Sequence, residues 1–219
     1  VEIYRESAAT VELLTEAGYD AVIVATGATQ LKHGWSPLQP ARWDGPDMPG
    51  SAQPWVYSCG DVLGLAQPLR EGKGRNAVVV DTLGARQGVL TAEYLARAGW
   101  KVQFITQLGQ PAPNLAASRD WGKAYGSLRR LGVAFTTDHD LTGIDEHGVR
   151  FLDVFTKEAK EIASVDALVL VNGAAAQNRL FHELRSARKD LEVHLIGDAL
   201  APRRINDAIF EAELVARKI

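Results

Sequence analysis

The sequence predicts an α/β protein built on parallel β-sheets, and three features of the chain carry this prediction. Residues 19–28 form a continuous apolar run closed by Gly27, as a strand buried on both faces of a parallel sheet does. Residues 165–173 repeat this pattern and end at Gly173. Between and after these runs, strand-like and helix-like segments alternate, which is the order expected of an α/β fold.

The segments on either side of the first predicted buried strand differ in hydrophobic pattern and proline content. Residues 8–17 have a helical pattern, with Val11, Leu13 and Leu14 on its apolar side. Residues 31–74 hold most of the prolines, and long stretches of this kind are usually functional or cross between domains. We therefore expect a long connection there, with one short strand at residues 55–58.

The rest of the chain predicts a second series of strands and helices. Gly99 and Gly132 each follow a helical segment, where a glycine commonly ends a helix. In chain order we expect strand 77–81, turn 84–88, helix 89–98, strand 101–106, helix 114–131, strand 133–136, a short antiparallel meander over 141–144 and 149–155, buried strand 165–173, strand 193–198 and helix 202–218.

Composition and charge narrow the class of protein. The 219 residues are 46% hydrophobic and 23% charged, which is typical of globular chains. The net charge of −3 creates no field that would gather nucleic acid, and no apolar run approaches the roughly 20 residues that a membrane helix needs. The single cysteine, Cys59, excludes an internal disulfide framework. We therefore expect a soluble cytoplasmic protein with no nucleic-acid or membrane partner.

The last strand and helix carry the strongest functional signal. Gly197 and Asp198 stand at the carboxyl end of a strand, the edge at which open α/β sheets bind ligands. Gly197 lets a ligand approach the backbone, and Asp198 can accept hydrogen bonds from sugar hydroxyls. Pro202 suits the first turn of the next helix, whose N-terminus favours a phosphate, and Arg203 adds donors beside it. The alternative, that Asp198 only caps the helix, stays open on these residues.

Two earlier strand ends, Thr26-Gly27 and Asn172-Gly173, complete a pattern with Gly197-Asp198. Each glycine alone indicates only a sharp exit from a buried strand. Together, in this order, they resemble the C-terminal half of the trimethylamine dehydrogenase and 2,4-dienoyl-CoA reductase family of NADH:flavin oxidoreductases. The matching stretches are Tyr-Asp-Ala-Val-Ile-Val-Ala-Thr-Gly-Ala (19–28), Gly-Arg-Asn-Ala-Val-Val-Val-Asp (74–81), Thr-Ala-Glu-Tyr-Leu-Ala-Arg-Ala-Gly-Trp-Lys-Val (91–102), Leu-Arg-Arg-Leu-Gly-Val (128–133) and Ile-Gly-Asp-Ala-Leu-Ala-Pro-Arg-Arg-Ile (196–205).

The resemblance implies a modular enzyme with an N-terminal barrel that carries FMN and usually a four-iron (4Fe-4S) cluster. Two Rossmann-like, FAD/NAD(P)-binding domains follow the barrel. Residues 1–73 and 190–219 would form a partial FAD/ADP-binding-type domain, and residues 74–189 a nearly complete inserted NAD(P)-binding-like Rossmann domain. Carried over by position, the residues at the FAD or ADP site would be Thr26, Gly27, Gly197, Asp198 and Arg203. No catalytic residue and no metal ligand is assigned to this chain.

Two departures from the family pattern qualify this implication. The Gly-x-Gly-x-x-Gly loop of the FAD/ADP domain, the barrel and the cluster cysteines are not found, and the chain begins at Val1 without an initiator methionine. We therefore expect a piece of a longer chain. In the turn before the second helix, alignment of Gly88 with the last fingerprint glycine puts Leu83 at the first position, where it would obstruct the turn.

The degenerate turn argues against an NAD(P)H site in the inserted domain. Gly84 and Arg86 remain its candidates for a phosphate contact, although Arg86 also fits a solvated position at the helix start. The sequence thus predicts the FAD/ADP- and NADH-type nucleotide-binding region of an iron–sulfur flavoprotein, inactive as an isolated chain. Its expected partners are a nucleotide, the N-terminal barrel domain and a second copy in a homo-oligomer. The alternative is a structural or assembly domain that binds no nucleotide.

Overall fold

The computed structural model describes residues 1–34, 48–64, 69 and 71–219. It confirms the α/β class, with parallel strands and an antiparallel meander. Parts of the proline-rich connection, including Trp35 and Trp43, lie outside the described residues. The helices and strands are α1 (Val11–Glu16), β1 (Ala21–Val24), β2 (Ala28–Gln30), β3 (Val56–Ser58), α2 (Cys59–Leu63), β4 (Asn76–Asp81), α3 (Arg86–Arg97), β5 (Lys101–Thr106), α4 (Trp121–Arg130), β6 (Ala134–Thr136), β7 (His139–Ile144), β8 (Gly148–Asp153), β9 (Ala159–Ala163), β10 (Ala167–Val171), β11 (Ala174–Ala176), α5 (Arg179–Ala187), β12 (Glu192–Leu195) and α6 (Ile205–Ala216).

The chain forms two compact units, and one of them is discontinuous in sequence. Unit 1 comprises Val1–Thr29 and Ala174–Ile219, and unit 2 comprises Gln30–Gly173. The boundaries predicted from the sequence fell elsewhere, after residues 73 and 189. The first boundary differs because β3 pairs with β10, Val56 opposite Leu168, which joins this short strand to the sheet of unit 2.

Unit 2 is organised around a five-stranded parallel sheet in the order β3-β10-β4-β5-β6. The apolar run predicted as a buried strand over residues 165–173 is β10, which is fully buried and pairs with β4 at the centre of the sheet, Ala167 opposite Ala77 and Val171 opposite Asp81. Helices α2, α3 and α4 contribute to the core on one face. The largest fully buried side chains of the sheet are those of Val78, Val79, Phe104, Ile105, Leu168 and Leu170. The prediction that the run over residues 19–28 is buried on both faces is wrong, because β1 lies in a two-stranded sheet of unit 1 and only its Val24 is buried.

The antiparallel meander of unit 2 has three strands, β7-β8-β9. The sequence predicted the first two of them. β9 was not predicted because its side chains are mostly solvent-facing and lack an apolar alternation. Val149 and Phe151 of β8 are buried and pack in one cluster with Val78 and Ile105, which covers the second face of the parallel sheet.

One predicted helix of unit 2 is wrong in extent. Residues 114–131 were expected to form a single helix, but a 3₁₀ turn, Pro113–Leu115, precedes α4, which begins only at Trp121. The interruption coincides with Arg119, whose φ of +59° is incompatible with a continuing right-handed helix. Trp121 fixes the new start by donating its indole N–H to the carbonyl oxygen of Pro111 at 2.8 Å.

Unit 1 contains a two-stranded parallel sheet, β1 with β12, and the helices α1, α5 and α6. Its small core combines Val24, Leu184 and Leu191 with apolar side chains of the neighbouring elements. Helix α6 has no buried residue, and its large apolar side chains are solvent-facing: Ile205, Ile209, Phe210 and Leu214. Among the described residues, no helix combines the length and the apolarity needed to cross a membrane.

Candidate functional site

The predicted site residues of unit 1 follow two paired strands at the same sheet edge. Strands β1 and β12 are parallel, with Val24 opposite Leu195, and Ile196 extends the pairing by donating its N–H to the Val24 carbonyl at 3.1 Å. Thr26-Gly27 and Gly197-Asp198 therefore both leave the sheet at its carboxyl edge. This edge is where ligands bind in open α/β sheets. We call these four residues the strand-edge site.

The first half of the strand-edge site is held by Gln177, which follows β11. The hydroxyl of Thr26 donates to the carbonyl oxygen of Gln177, and the N–H of Gln177 donates to the carbonyl of Gly27 at 2.9 Å. Gly27 has a φ of +77°, so its backbone conformation, rather than lack of space, favours glycine. Gln177 has no sequence signature for this role, because only the folded chain brings it beside Thr26.

The second half of the strand-edge site is a tight turn anchored on α6. Gly197 has a φ of +63°, and its N–H donates to Oε2 of Glu211 at 2.7 Å. Asp198 is exposed, and its Oδ1 accepts the backbone N–H of Arg203 at 3.1 Å. Asp198 thus presents a carboxylate at the sheet edge with one oxygen bound within the chain.

The prediction that Pro202 begins the last helix is wrong, because α6 starts three residues later at Ile205. The carboxylate of Asp207 accepts the backbone N–H of Arg204 at 3.1 Å, and this cap sets the helix start. The guanidinium of Arg203 contacts the carboxylate of Glu211 and the carbonyl oxygen of Ala201, the latter at 3.2 Å. Both groups that Arg203 contacts lie within unit 1.

The degenerate turn of unit 2, residues 81–88, is organised by Asp81, which ends β4. Oδ1 of Asp81 accepts the backbone N–H groups of Leu83 at 3.0 Å and Gly84 at 3.2 Å. Oδ2 is buried and has no hydrogen-bond partner within the described part of the chain. Burial raises the pKa of Asp81 from 3.8 to about 7, against the two N–H contacts that lower it. The backbone N–H groups of Leu83 and Gly84 are therefore already bound to the carboxyl group of Asp81.

Two further contacts close this turn. Asn114, in the loop after β5, donates its side-chain amide to the carbonyl of Leu83 and its backbone N–H to the carbonyl of Gly84, both at 3.0 Å. On the other side, a Cβ on Gly173 would stand 3.8 Å from Cδ2 of Leu83. The β4 and β10 ends flank the point where the strand order reverses, which is the usual dinucleotide crevice. Leu83 occupies it.

Arg86, the remaining candidate of this turn, forms an ion pair with Asp120. Its side chain is 54% exposed, which matches the solvated helix-start position considered as its alternative. The hydrogen bond from Arg86 is the largest of the causes that hold the pKa of Asp120 below its usual range. Gly84, with a φ of +63°, serves the turn itself, since a Cβ there would stand 2.5 Å from Leu108.

Comparison with known proteins identifies the family of this fold. A family model described as pyridine nucleotide-disulphide oxidoreductase matches residues 1–195, and the chain belongs to this family. A probable N-methylproline demethylase of Rhizobium meliloti (strain 1021) is 24% identical, over 93% of this chain and 31% of the relative. The dimethylamine dehydrogenase of Hyphomicrobium sp. (strain x) is 23% identical, over 98% of this chain and 31% of the relative.

A solved structure gives the same result. The histamine dehydrogenase from Rhizobium sp. 4-9 matches with a TM-score of 0.88 and 25% identity, over 98% of this chain and 33% of that chain. The resemblance to the trimethylamine dehydrogenase-like family is therefore confirmed over nearly the whole sequence. The chain spans about a third of the length of the relatives it matches.

Proposed function

We propose that this chain is the nucleotide-binding region of an NADH:flavin oxidoreductase-like iron–sulfur flavoprotein and that unit 1 binds FAD or ADP. The observation that carries the proposal is the pairing of β1 with β12, which brings Thr26-Gly27 and Gly197-Asp198 to one sheet edge. The family match and the amine dehydrogenase relatives support it.

The exposed carboxylate of the strand-edge site fits the sugar part of such a cofactor. Asp198 is exposed and can accept hydrogen bonds from a ribitol or ribose hydroxyl. Gly27 has a positive φ and no side chain, and a Cβ there would meet nothing within 4 Å, so a ligand can approach its backbone closely. Bound FAD would supply a two-electron carrier, whereas ADP would supply no redox chemistry. The residues of this chain would hold either group, and FMN and the 4Fe-4S cluster would belong to a barrel domain outside it.

Unit 2 does not fit an NAD(P)H phosphate at its degenerate turn. Asp81 takes the N–H groups of Leu83 and Gly84, and Arg86 is paired with Asp120. A pyrophosphate at this turn would have to displace a buried carboxylate and would meet the Leu83 side chain. In this proposal unit 2 is the inserted domain. It has the fold of an NAD(P)-binding domain, but its role is structural.

The same proposal includes a partner domain. The relatives are about three times as long as the match, and the exposed apolar side chains of α6 suit burial against a further domain. That domain is the N-terminal barrel of the parent protein. A cytoplasmic location belongs to the proposal as well.

Calorimetric titration of the chain with ADP, FAD, NADH and NADPH tests the function. We expect binding of ADP or FAD that Asp198→Ala weakens at least about tenfold, through loss of a charged acceptor. Asp190→Ala is the matched control, because Asp190 is a surface aspartate of unit 1 that pairs with Arg188. Silence with all four nucleotides would instead favour a structural or assembly domain.

A further inference from the structure

Three hydrogen bonds and one peptide unit form a closed ring behind the strand-edge site. The N–H of Gly197 donates to Oε2 of Glu211 at 2.7 Å, and Oε1 of the same carboxylate accepts the guanidinium of Arg203. The backbone N–H of Arg203 donates to Oδ1 of Asp198 at 3.1 Å, and Asp198 is bonded to Gly197. Each member of the ring therefore constrains the next, and one of its members is the Asp198 carboxylate.

Glu211 is the centre of this ring. It lies inside α6, past the first helical turn, so its backbone is fixed by the helix. Its side chain is only 16% exposed, against 40% for Arg203, and both of its oxygens are used. A carboxylate that accepts a backbone N–H and a guanidinium at the same time is a strong, directional anchor.

We propose that Glu211 is a positioning residue for nucleotide binding, which it serves by fixing the Gly197 turn and, through Arg203, the orientation of Asp198. This inference rests on the proposed function of unit 1. Glu211 touches no ligand in this role. With Oδ1 of Asp198 held by the turn, the second carboxylate oxygen can accept a ligand hydroxyl. Because the carboxylate is already oriented, less entropy is lost when the ligand binds.

The ring also changes the role of Arg203. Its guanidinium is neutralised by Glu211, and its backbone N–H holds Asp198. In this inference Arg203 acts on the ligand through these two carboxylates. Because its contact with Asp198 is a backbone contact, substitution of the side chain affects the site through the lost contacts with Glu211 and with the carbonyl oxygen of Ala201.

Binding constants for ADP and FAD, measured by calorimetry on the 219-residue chain, test the inference. Glu211→Ala should weaken binding about tenfold, as expected for loss of the hydrogen bonds that orient a charged acceptor. Glu211→Gln keeps one acceptor for Gly197 and loses the ion pair, so its loss should be smaller. Glu213→Ala is the control, since Glu213 lies on the same helix and pairs only with the exposed Arg217 among the residues described.

A double-mutant comparison separates positioning from general stabilisation. If Glu211 acts through Asp198, Glu211→Ala should cost almost nothing further in the Asp198→Ala background. A lowered melting temperature with an unchanged binding constant in Glu211→Ala overturns the inference and leaves the nucleotide site standing. Absence of any ADP or FAD binding by the unaltered chain overturns the proposed function, and the inference with it.

Discussion

The buried carboxyl group of Asp81 lies directly against Gly88 in the first turns of α3. A Cβ built on Gly88 would stand 2.7 Å from the carboxyl carbon of Asp81 and 2.8 Å from its Oδ2. The last glycine of a dinucleotide fingerprint permits close helix–strand packing. Gly88 keeps that packing function here, while the space beside it is filled by a carboxylate of the chain.

Gly88→Ala should lower the free energy of unfolding by about 1–3 kcal/mol, because Asp81 is short, buried and fixed by two N–H groups. Urea denaturation measures the change. Gly122→Ala is the matched control, because a Cβ on this α4 glycine would meet nothing within 4 Å. The control should be neutral or stabilising by up to about 1 kcal/mol. Equal effects of the two substitutions would contradict the close contact at Gly88.

Asp81→Asn should change how stability depends on pH. The folded pKa of about 7 lies above the ordinary value of 3.8, so the folded chain holds this proton more tightly than the unfolded chain does. The contribution of Asp81 to stability is therefore fully present below pH 3.8 and is lost as the pH rises towards 7, by about 4 kcal/mol at most.

The asparagine variant keeps an acceptor for Leu83 and Gly84 but does not ionise. Relative to this variant, the unaltered chain should lose stability between about pH 4 and 7 and show a constant difference above that range. Urea denaturation at half-unit steps of pH provides the measurement. A difference that stays flat from pH 4 to 8 would mean that the folded carboxyl ionises normally.

The apolar side chains of unit 1 should fall into two energetic classes. Leu184→Ala removes a fully buried side chain of α5 and should cost about 2–5 kcal/mol. Phe210→Gln alters an α6 side chain that is 63% exposed, so stability should change by less than about 0.5 kcal/mol. Urea denaturation measures both changes. A large loss of stability there would reveal packing that the exposed fraction does not indicate.

Arg86→Ala should leave the affinity for ADP, FAD and NADH unchanged, because its guanidinium is paired with Asp120 at the surface. Its cost in stability should be below about 1 kcal/mol, as for other exposed ion pairs. Titration calorimetry and urea denaturation check both statements. A clear loss of NADH affinity would assign Arg86 to a phosphate site and contradict the closed turn.

Strands with strong apolar patterns could be predicted from the sequence, whereas elements set by distant contacts could not. The strand predicted over residues 101–106 is β5, Lys101–Thr106, with the same limits. Helix α5 was not predicted, since it has a single fully buried residue, Leu184. The break before α4 depends on the left-handed conformation of Arg119, a residue type that gives no local sign of it.

The same division holds for the candidate site. Glycines and an aspartate at strand ends have a sequence signature, so Gly27, Gly197 and Asp198 could be named as candidates without a structure. Glu211 could not, because it lies fourteen residues beyond Gly197 in a helix whose own pattern gives no reason to select it. Asp81 has a usable signal in the sequence, namely an acid that directly follows the apolar residues 77–80 at the end of a strand.

Unit 2 begins and ends at one point, because the N–H of Leu31 donates to the carbonyl oxygen of Gly173 at 3.0 Å. For the strands of unit 1, the whole of unit 2 therefore takes the place of a short loop, and closing it costs little chain entropy. An insert of this kind can be lengthened, degraded in sequence or exchanged during evolution while β1 still finds β12.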